Sequence, residues 1–170
     1  MQRAIPFLQL RGGSSKGLYF NATDLPADRA LRDRVLLAAM CGVGPEDQRQ
    51  IDGLGGADPL TSKVGIVSDS SRAGADLDYE FVQVVVGSNA TDETQNCGNI
   101  LAGVVPFAIE TGLLRATAPE TRARVFLINS ESICEVVVQT PHGRVEYAGD
   151  ARIDGVPGTA APVICNYADT

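Results

Sequence analysis

The residues best suited to chemistry lie in the run Gln95-Asn96-Cys97-Gly98-Asn99. The segment that follows, residues 100–114, carries a single ionisable group, Glu110, and its apolar composition predicts a buried helix. A cysteine at the first turn of a helix faces backbone N–H groups that have no partner within the helix. Such groups favour the thiolate, the form that acts as a base or nucleophile. The flanking asparagine amides can bind a substrate or cap the helix. The pattern predicts a reactive thiol on the floor of a pocket.

The alternative interpretation of Cys97 is a small core residue, which is the usual role of a free cysteine. Spacing alone leaves that alternative open. The other three cysteines fit a core role better, because Cys41 ends a helical pattern while Cys134 and Cys165 lie in β-branched runs. The sequence contains no Cys-x-x-Cys pair. It therefore predicts no structural zinc site and no other metal site.

A glycine-rich loop, Arg11-Gly12-Gly13-Ser14-Ser15-Lys16-Gly17, lies between two predicted strands. Its glycines allow a tight turn that exposes backbone N–H groups, its hydroxyls donate hydrogen bonds, and Arg11 and Lys16 add positive charge. This combination predicts an anion cradle. It is not a P-loop, since Lys16 is followed by glycine and a strand. A simple strand turn with solvated charges is the alternative.

A second glycine-rich loop, residues 55–63, ends at Lys63, which begins an apolar strand. The stem of this lysine is predicted to be partly buried. A partly buried lysine acts as a tuned acid or base, anchors an anion, or pairs with a carboxylate. The structural alternative is an ion pair with Asp58.

The composition describes an acidic globular domain. Of 170 residues, 44% are hydrophobic and 21% are charged, which is enough for one domain with its own core. The net charge of −7 argues against binding to nucleic acid, which needs a basic surface. Any anionic ligand must be held by a local cluster of donors. No segment is long and apolar enough to span a membrane. Scattered cysteines without an export signal predict a reducing cytoplasm.

Eight extended runs rich in valine and isoleucine predict strands, at residues 4–10, 18–20, 63–67, 79–86, 123–129, 134–139, 144–147 and 162–166. Two helices are predicted. Residues 28–40 are amphipathic, whereas residues 99–114 are apolar on nearly every face and must be enclosed. Pro106 predicts a kink in the second helix. The expected fold is α+β, with a curved, partly barrel-like, mostly antiparallel sheet wrapped around one buried central helix. The long turn-rich stretch 42–59 is expected to be functional.

The three motifs together, residues 11–17, 55–63 and 95–99, resemble the PrpF/4-oxalomesaconate tautomerase family, which has the diaminopimelate-epimerase-like fold. The resemblance covers essentially the whole chain. It implies two similar domains with the active site between them. Residues 1–170 then correspond to a single N-terminal domain, about the first half of such a protein.

The resemblance also assigns roles to individual residues. Cys97 and Lys63 take the two acid/base positions. The expected substrate-carboxylate side comprises Ser14, Ser15, Asn96, Gly98 and Asn99, and the predicted substrate-binding set is completed from the glycine-rich loops by Arg11, Lys16 and Ser62.

The implied reaction is a proton shift in an unsaturated tricarboxylate, with no metal or organic cofactor. A 4-oxalomesaconate keto–enol tautomerase is expected first, and a methylaconitate or aconitate isomerase is the alternative within the family. Two further alternatives are an amino-acid epimerase or racemase of the same superfamily and a module that binds carboxylates without turnover. The expected partners are the small-molecule substrate and, as an assembly, a homodimer.

Overall fold

A sheet of eight strands curls into a half-barrel, with helices on both of its faces. The computed structural model describes residues 4–167. The strands are β1 (Leu8–Gly12), β2 (Ser15–Asn21), β3 (Lys63–Asp69), β4 (Leu77–Val84), β5 (Thr91–Asp92), β6 (Glu120–Leu127), β7 (Ser132–Gln139) and β8 (Val163–Tyr167). The helices are α1 (Arg29–Cys41), α2 (Gly98–Leu101) and α3 (Val104–Glu110), with 3-10 turns at Ala22–Asp24 and Pro59–Thr61.

The sheet is mixed, with the order β1-β2-β3-β4-β6-β7-β8 and the short β5 paired to β4. The β2–β3 and β4–β6 pairs are parallel, and the remaining pairs are antiparallel. Parallel neighbours need a crossover connection. Helix α1 lies in the first crossover, and α2 with α3 lies in the second, so the two parallel pairs follow from where the helical segments fall in the sequence.

Each face of the sheet covers its own apolar core. On the concave face, Tyr19, Tyr79 and Phe81 pack with the residues of α2 and α3. On the convex face, alternate residues of the same strands, such as Leu18 and Val82, pack against α1. Strand side chains alternate between faces, so this division assigns every β2, β3 and β4 residue to one side. The candidate site described below lies on the concave face, which holds α2.

The segment predicted as one central helix forms two short helices. Ala102 and Gly103 separate α2 from α3, and α3 ends at Glu110 instead of continuing to Leu114. Pro106 has no N–H to donate to the carbonyl of Ala102, and the Gly103 N–H bonds to the Ile100 carbonyl at 3.0 Å in a tighter turn. After α3, Gly112 adopts a φ of 78°, which ends the helix.

Helix α1 matches its prediction closely. Asp28 caps it, accepting a hydrogen bond at 2.8 Å from the backbone N–H of Leu31. The long stretch after α1 is irregular and is tied together by Gln50, which is fully buried. The Gln50 Oε1 accepts from the Ala57 N–H at 2.9 Å and from the Ser62 hydroxyl at 2.7 Å. This stretch is therefore anchored to the start of β3.

Residues 144–147, predicted as a strand, are irregular in the structure. The turn before them is present, closed by a 3.0 Å bond from Gly143 N–H to the Thr140 carbonyl. The chain does not continue as a strand paired with β7: the Glu146 N–H donates to the Gln139 carbonyl at 2.9 Å, and the Tyr147 carbonyl accepts from the Ala161 N–H at 3.0 Å. These residues form one wall of the cavity described next.

Candidate active site

Cys97 immediately precedes α2 and is its N-cap residue, with φ −132° and ψ 103°. Its side chain makes no capping hydrogen bond, and it is partly buried against the concave core. The thiol therefore lies beside the first N–H groups of α2. Because α2 has only four residues, the field at Cys97 comes from these local N–H groups and not from the dipole of the long helix that the sequence predicted.

The hairpin between β1 and β2 docks directly on α2. The Asn99 side-chain Nδ2 donates to the hydroxyl oxygens of Ser14 at 3.1 Å and Ser15 at 3.2 Å. Gly12 approaches so closely that a Cβ there would lie 1.9 Å from the Asn99 carbonyl oxygen. Since both serine oxygens accept from Asn99, their hydroxyl hydrogens are available to donate elsewhere. Four of the predicted residues, Ser14, Ser15, Gly98 and Asn99, are thus brought together.

Two buried tyrosines hold α2 against the sheet. The Tyr19 hydroxyl donates to the Ile100 carbonyl at 2.7 Å, and the Tyr79 hydroxyl donates to the Cys97 carbonyl at 3.2 Å. Burial raises the pKa of both phenols above the ordinary value, so both remain protonated donors. Neither residue was predicted as part of the site. The available signal was burial: Tyr19 lies between the apolar Leu18 and Phe20, and Tyr79 alternates with the acidic Asp78 and Glu80 of β4.

Lys63 extends along the concave face. Its side chain is almost fully buried, with Nζ 5.0 Å from the centre of the Phe81 ring and donating to Gln83 Oε1 at 2.8 Å. The predicted alternative, an ion pair with Asp58, is not formed. Asp58 instead caps the following 3-10 turn by accepting from the Leu60 N–H at 2.7 Å.

The loop before Cys97 is anchored from the convex side. Arg32 of α1 pairs with both Glu80 and Glu93, and the Asn129 side chain donates to the Glu93 carbonyl at 2.8 Å. Within the loop, Asp92 accepts from the backbone N–H of Thr94. These contacts hold the residues leading to the thiol. Those made by Arg32 and Asn129 were not predicted, because they join distant parts of the sequence.

Two predicted substrate-binding residues are engaged elsewhere. Ser62 is fully buried, and its hydroxyl donates to Gln50. Asn96 is exposed, and its side chain donates to the hydroxyl of Ser130. In this structure Ser62 ties a loop to β3, and Asn96 joins the Cys97 loop to the turn between β6 and β7.

The predicted anion cradle is divided between two faces of its hairpin. Arg11 is paired opposite Lys16, and Gly12 opposite Ser15. Because side chains alternate along a strand, Arg11 and Lys16 lie on the face opposite to Ser15. The Arg11 guanidinium curls toward the hairpin tip and donates to the Gly13 carbonyl at 2.9 Å. The glycine-rich pattern was recognised correctly, but it could not specify which face each side chain occupies.

A cavity of about 370 Å³ opens beside the hairpin and α2. Arg11, Gly98 and Asn99 line it together with Pro106 of α3 and Cys165 of β8. Its far wall is the irregular segment 145–162, including Val145, Tyr147, Ile153, Val156 and Pro162. Cys97 and Lys63 border the same concave core without lining this cavity. Within residues 4–167 no group of three or more His, Cys, Asp or Glu side chains is placed to hold a metal ion.

Comparison with known proteins identifies the family. The family model described as "PrpF protein" matches residues 2–170. The chain belongs to the PrpF family.

Two relatives in this family are each 57% identical to the chain. One is named (4E)-oxalomesaconate Delta-isomerase, from Novosphingobium sp. (strain KA1), and covers 97% of this chain and 45% of its own length. The other is named 4-oxalomesaconate tautomerase, from Pseudomonas putida, and covers 99% of this chain and 46% of its own length. The chain thus spans about half the length of the curated relatives that it matches.

Solved structures agree with the PrpF assignment. The crystal structure of a methylitaconate-delta-isomerase superimposes with a TM-score of 0.89 at 45% identity, covering 95% of this chain and 41% of that one. A hydroxyproline epimerase from Agrobacterium vitis superimposes with a TM-score of 0.52 at 12% identity, over 82% of this chain and 39% of that one. The second likeness concerns the fold alone, which is the curled half-barrel of racemases and epimerases. Among the described residues, no helix is long and apolar enough to cross a membrane.

Proposed function

We propose that this PrpF domain supplies one wall of the active site of a cofactor-independent isomerase, which moves a proton within an unsaturated tricarboxylate. The proposed substrate is 4-oxalomesaconate. The observation that carries the proposal is that Cys97 and Lys63 both lie at the apolar core on the concave face. The Cys97 side chain packs against this core, and the Lys63 ammonium lies over the ring of Phe81, which is one of the core residues. The 57% identity to two proteins named for oxalomesaconate supports the choice of substrate.

The chemistry requires that the hydrogen-bond donors that stabilise the negative charge are in place before that charge forms. Removing a proton from a carbon next to carboxylates creates an enolate, and the ionised carboxylates oppose it. Preorganised donors at the developing charge are the largest source of rate in such reactions. The first N–H groups of α2 and the Lys63 ammonium are donors of this kind, and Lys63 has no carboxylate partner among residues 4–167.

Two groups divide the proton transfers. The Cys97 thiolate takes the proton, so a C–H bond breaks and an S–H bond forms while the electron pair moves onto the carbonyl oxygen. The Lys63 ammonium protonates that oxygen, so an N–H bond breaks and the O–H bond of the enol forms. Both groups regain their starting protonation states through solvent. Nothing is oxidised or reduced, which is why a general acid and a general base suffice.

The carboxylates of the substrate are proposed to bind at the hairpin tip. The hydroxyls of Ser14 and Ser15 have hydrogens left to donate, and their positions are fixed by Asn99. The other wall of the site is assigned to a second domain, because the curated relatives are about twice as long as the chain.

Turnover measurements test the proposal. The full-length protein is expected to convert 4-oxalomesaconate and to retain that activity in the presence of a chelator. Turnover of the aconitates with none of 4-oxalomesaconate would favour the second candidate, an allylic isomerase, which the 45% identity to a methylitaconate isomerase supports. Alkylation of Cys97 is expected to abolish turnover. If alkylated protein turned over substrate normally, the proton-transfer role would belong to another residue.

A further inference from the structure

The surroundings of Lys63 fix its position without neutralising its charge. Buried lysines usually pair with a carboxylate, because an isolated buried charge is costly. Here the described contacts of Nζ are the Gln83 amide oxygen at 2.8 Å and the face of the Phe81 ring. An ammonium has three N–H donors, and an aromatic ring attracts the ammonium without neutralising its positive charge. The positive charge is therefore available to an anion.

The side-chain amide of Gln83 can adopt only one orientation beside Lys63. Its Nε2 lies within hydrogen-bonding distance of three backbone carbonyl oxygens, those of Pro59 at 3.1 Å, Ser62 at 2.9 Å and Val84 at 3.1 Å. A flipped amide would place its oxygen among three carbonyl oxygens and its NH₂ group against the ammonium. Both contacts would be repulsive, so the amide oxygen is locked toward Lys63.

A glutamate at position 83 could not play the same part. One carboxylate oxygen would meet the ammonium, but the other would face the carbonyls of Pro59, Ser62 and Val84 with no hydrogen to donate. It would also neutralise Lys63. The amide is the side chain that accepts from a cation at one end, donates to carbonyls at the other and carries no charge.

We infer that Gln83 is the positioning residue for Lys63: it ties the ammonium to the backbone of the 59–62 turn and presents it, uncompensated, to the anionic ligand. This inference rests on the proposed function, in which the Lys63 ammonium protonates the enolate oxygen. The same positive charge also attracts the carboxylates that bind at the hairpin tip. Gln83 itself touches no substrate. It acts through the direction and charge of the lysine.

The experiment measures binding and turnover in full-length protein carrying Gln83→Met, Gln83→Glu, Lys63→Met or both changes. The binding probe is propane-1,2,3-tricarboxylate, a saturated tricarboxylate that cannot be isomerised, measured by calorimetry. Gln83→Met should weaken binding by roughly ten- to hundredfold, as expected for losing a hydrogen bond to a charged group. Gln83→Glu should weaken it further, because the new carboxylate competes with the ligand. In turnover, both changes should lower kcat as well as raise KM, because the same ammonium is the proposed acid for the enolate oxygen.

A double-mutant cycle separates positioning from general destabilisation. In the Lys63→Met background, the neutral change Gln83→Met should have little further effect on probe binding. Gln9, exposed on β1, provides the matched controls Gln9→Met and Gln9→Glu, which should bind like wild type. The inference is overturned if Gln83→Met binds as wild type does, if the effect of Gln83→Met persists without Lys63, or if wild type does not bind the probe. Normal probe results with no turnover of 4-oxalomesaconate would overturn the proposed function alone, and turnover insensitive to Gln83 would overturn this inference alone.

Discussion

At the scale of single residues, burial separates Cys97 from the other cysteines. Cys41 and Cys134 are fully buried, each in one of the two cores, and Cys165 is partly buried beside Cys134. Burial raises the pKa of Cys134 to about 12, and it also raises the pKa of Cys165. Cys97 alone begins a helix, with unpaired N–H groups beside it. Its surroundings and not its residue type select it for chemistry.

Replacing Cys97 with serine should lower turnover of 4-oxalomesaconate by about a hundredfold or more, the usual scale for loss of a positioned acid or base. A serine hydroxyl does not ionise near neutral pH, so it cannot take the proton. The measurement is kcat in the full-length protein. Cys41→Ser, on the convex side, is the matched control and should retain activity. Near-native turnover by Cys97→Ser would assign the proton transfer to another group.

Alkylation should discriminate among the same thiols. With a pKa of about 12, about one Cys134 thiol in ten thousand is ionised at pH 8. Native protein treated with iodoacetamide should therefore be modified at Cys97 and spared at Cys134, as read by mass spectrometry of peptides. Unfolded protein should be modified at both. Equal rates at the two sites in native protein would contradict the assigned burial.

At the scale of elements, the site depends on how the β1–β2 hairpin and the sheet hold α2. The hairpin contacts α2 through Gly12 and Asn99, while Tyr19 and Tyr79 hold it from the concave face. A helix of four residues has little stability of its own. Its place is set by these tertiary contacts, so changes in the hairpin or the tyrosines should reach the thiol.

Gly12→Ala should destabilise the domain by about 1–3 kcal/mol, because the added methyl would overlap the Asn99 carbonyl and force two backbone segments apart. Urea unfolding measures this, and substrate binding should weaken with it. Gly44→Ala is the control, since a Cβ there would meet nothing closer than the Asp47 Cβ at 3.8 Å. Equal stability of the two variants would show that the hairpin can move away from α2 without loss of stability.

Tyr19→Phe should cost about 1 kcal/mol at neutral pH, the price of one hydrogen bond. Because burial raises the pKa of Tyr19 in the folded state, its contribution is complete below the ordinary phenol pKa of 10 and is lost as pH rises above it. Phenylalanine cannot ionise. The wild-type unfolding constant should therefore rise, relative to that of the variant, by about tenfold per pH unit above pH 10, so the initial difference of about fivefold should vanish within about one pH unit and then reverse. Urea unfolding at neutral and alkaline pH tests this, and a constant difference would contradict it.

Much of this architecture is predictable from local sequence. The extended apolar runs located seven of the eight strands, and the Asp28 cap located α1, because both signals act within a few residues. The start of α2 at Gly98 follows likewise from the Cys97 run. The break at Ala102–Gly103 was only half visible, since Pro106 predicts a kink but not where the chain turns.

The rest depends on pairing between distant residues. The glycine-rich motif suggested that Arg11 and Lys16 join Ser15, but the strand register places them on the opposite face of the hairpin. Gln83 lies twenty residues from Lys63 in sequence, and no local pattern marks it. Ser62 had the right residue type for substrate binding, yet its hydroxyl bonds to Gln50. Long-range register and burial decide such roles, and a single sequence does not carry them.

At the scale of the whole molecule, twelve large apolar side chains are exposed among the described residues. Two groups of them lie close in sequence: Val43, Ile51, Leu54 and Leu60 on the long stretch between α1 and β3, and Ile164 and Tyr167 on the edge strand β8. Large exposed apolar side chains often mark surfaces that pack against another body. This agrees with the proposal that a second domain completes the site.

The 170-residue chain should fold alone, because it has an apolar core on each face of its sheet, but should show little or no tautomerase activity. Under the proposal that a second domain supplies the other wall, substrate and enolate bound to this chain alone remain in water, where each donor contributes far less than in a closed cleft. Circular dichroism and thermal unfolding test folding. Turnover is compared with a longer chain under identical conditions. Comparable turnover by the short chain would show that its site is complete.

The contact between Gly12 and Asn99 sets a limit on how this site can change during evolution. The distance between the hairpin and the start of α2 is determined by backbone against backbone, with no side chain between them that a point mutation could shorten. Selection for a bulkier or smaller substrate therefore cannot change this spacing by a point mutation. Sequence differences among PrpF proteins with different substrates are expected to concentrate instead in the irregular wall at 145–162 and in the proposed second domain.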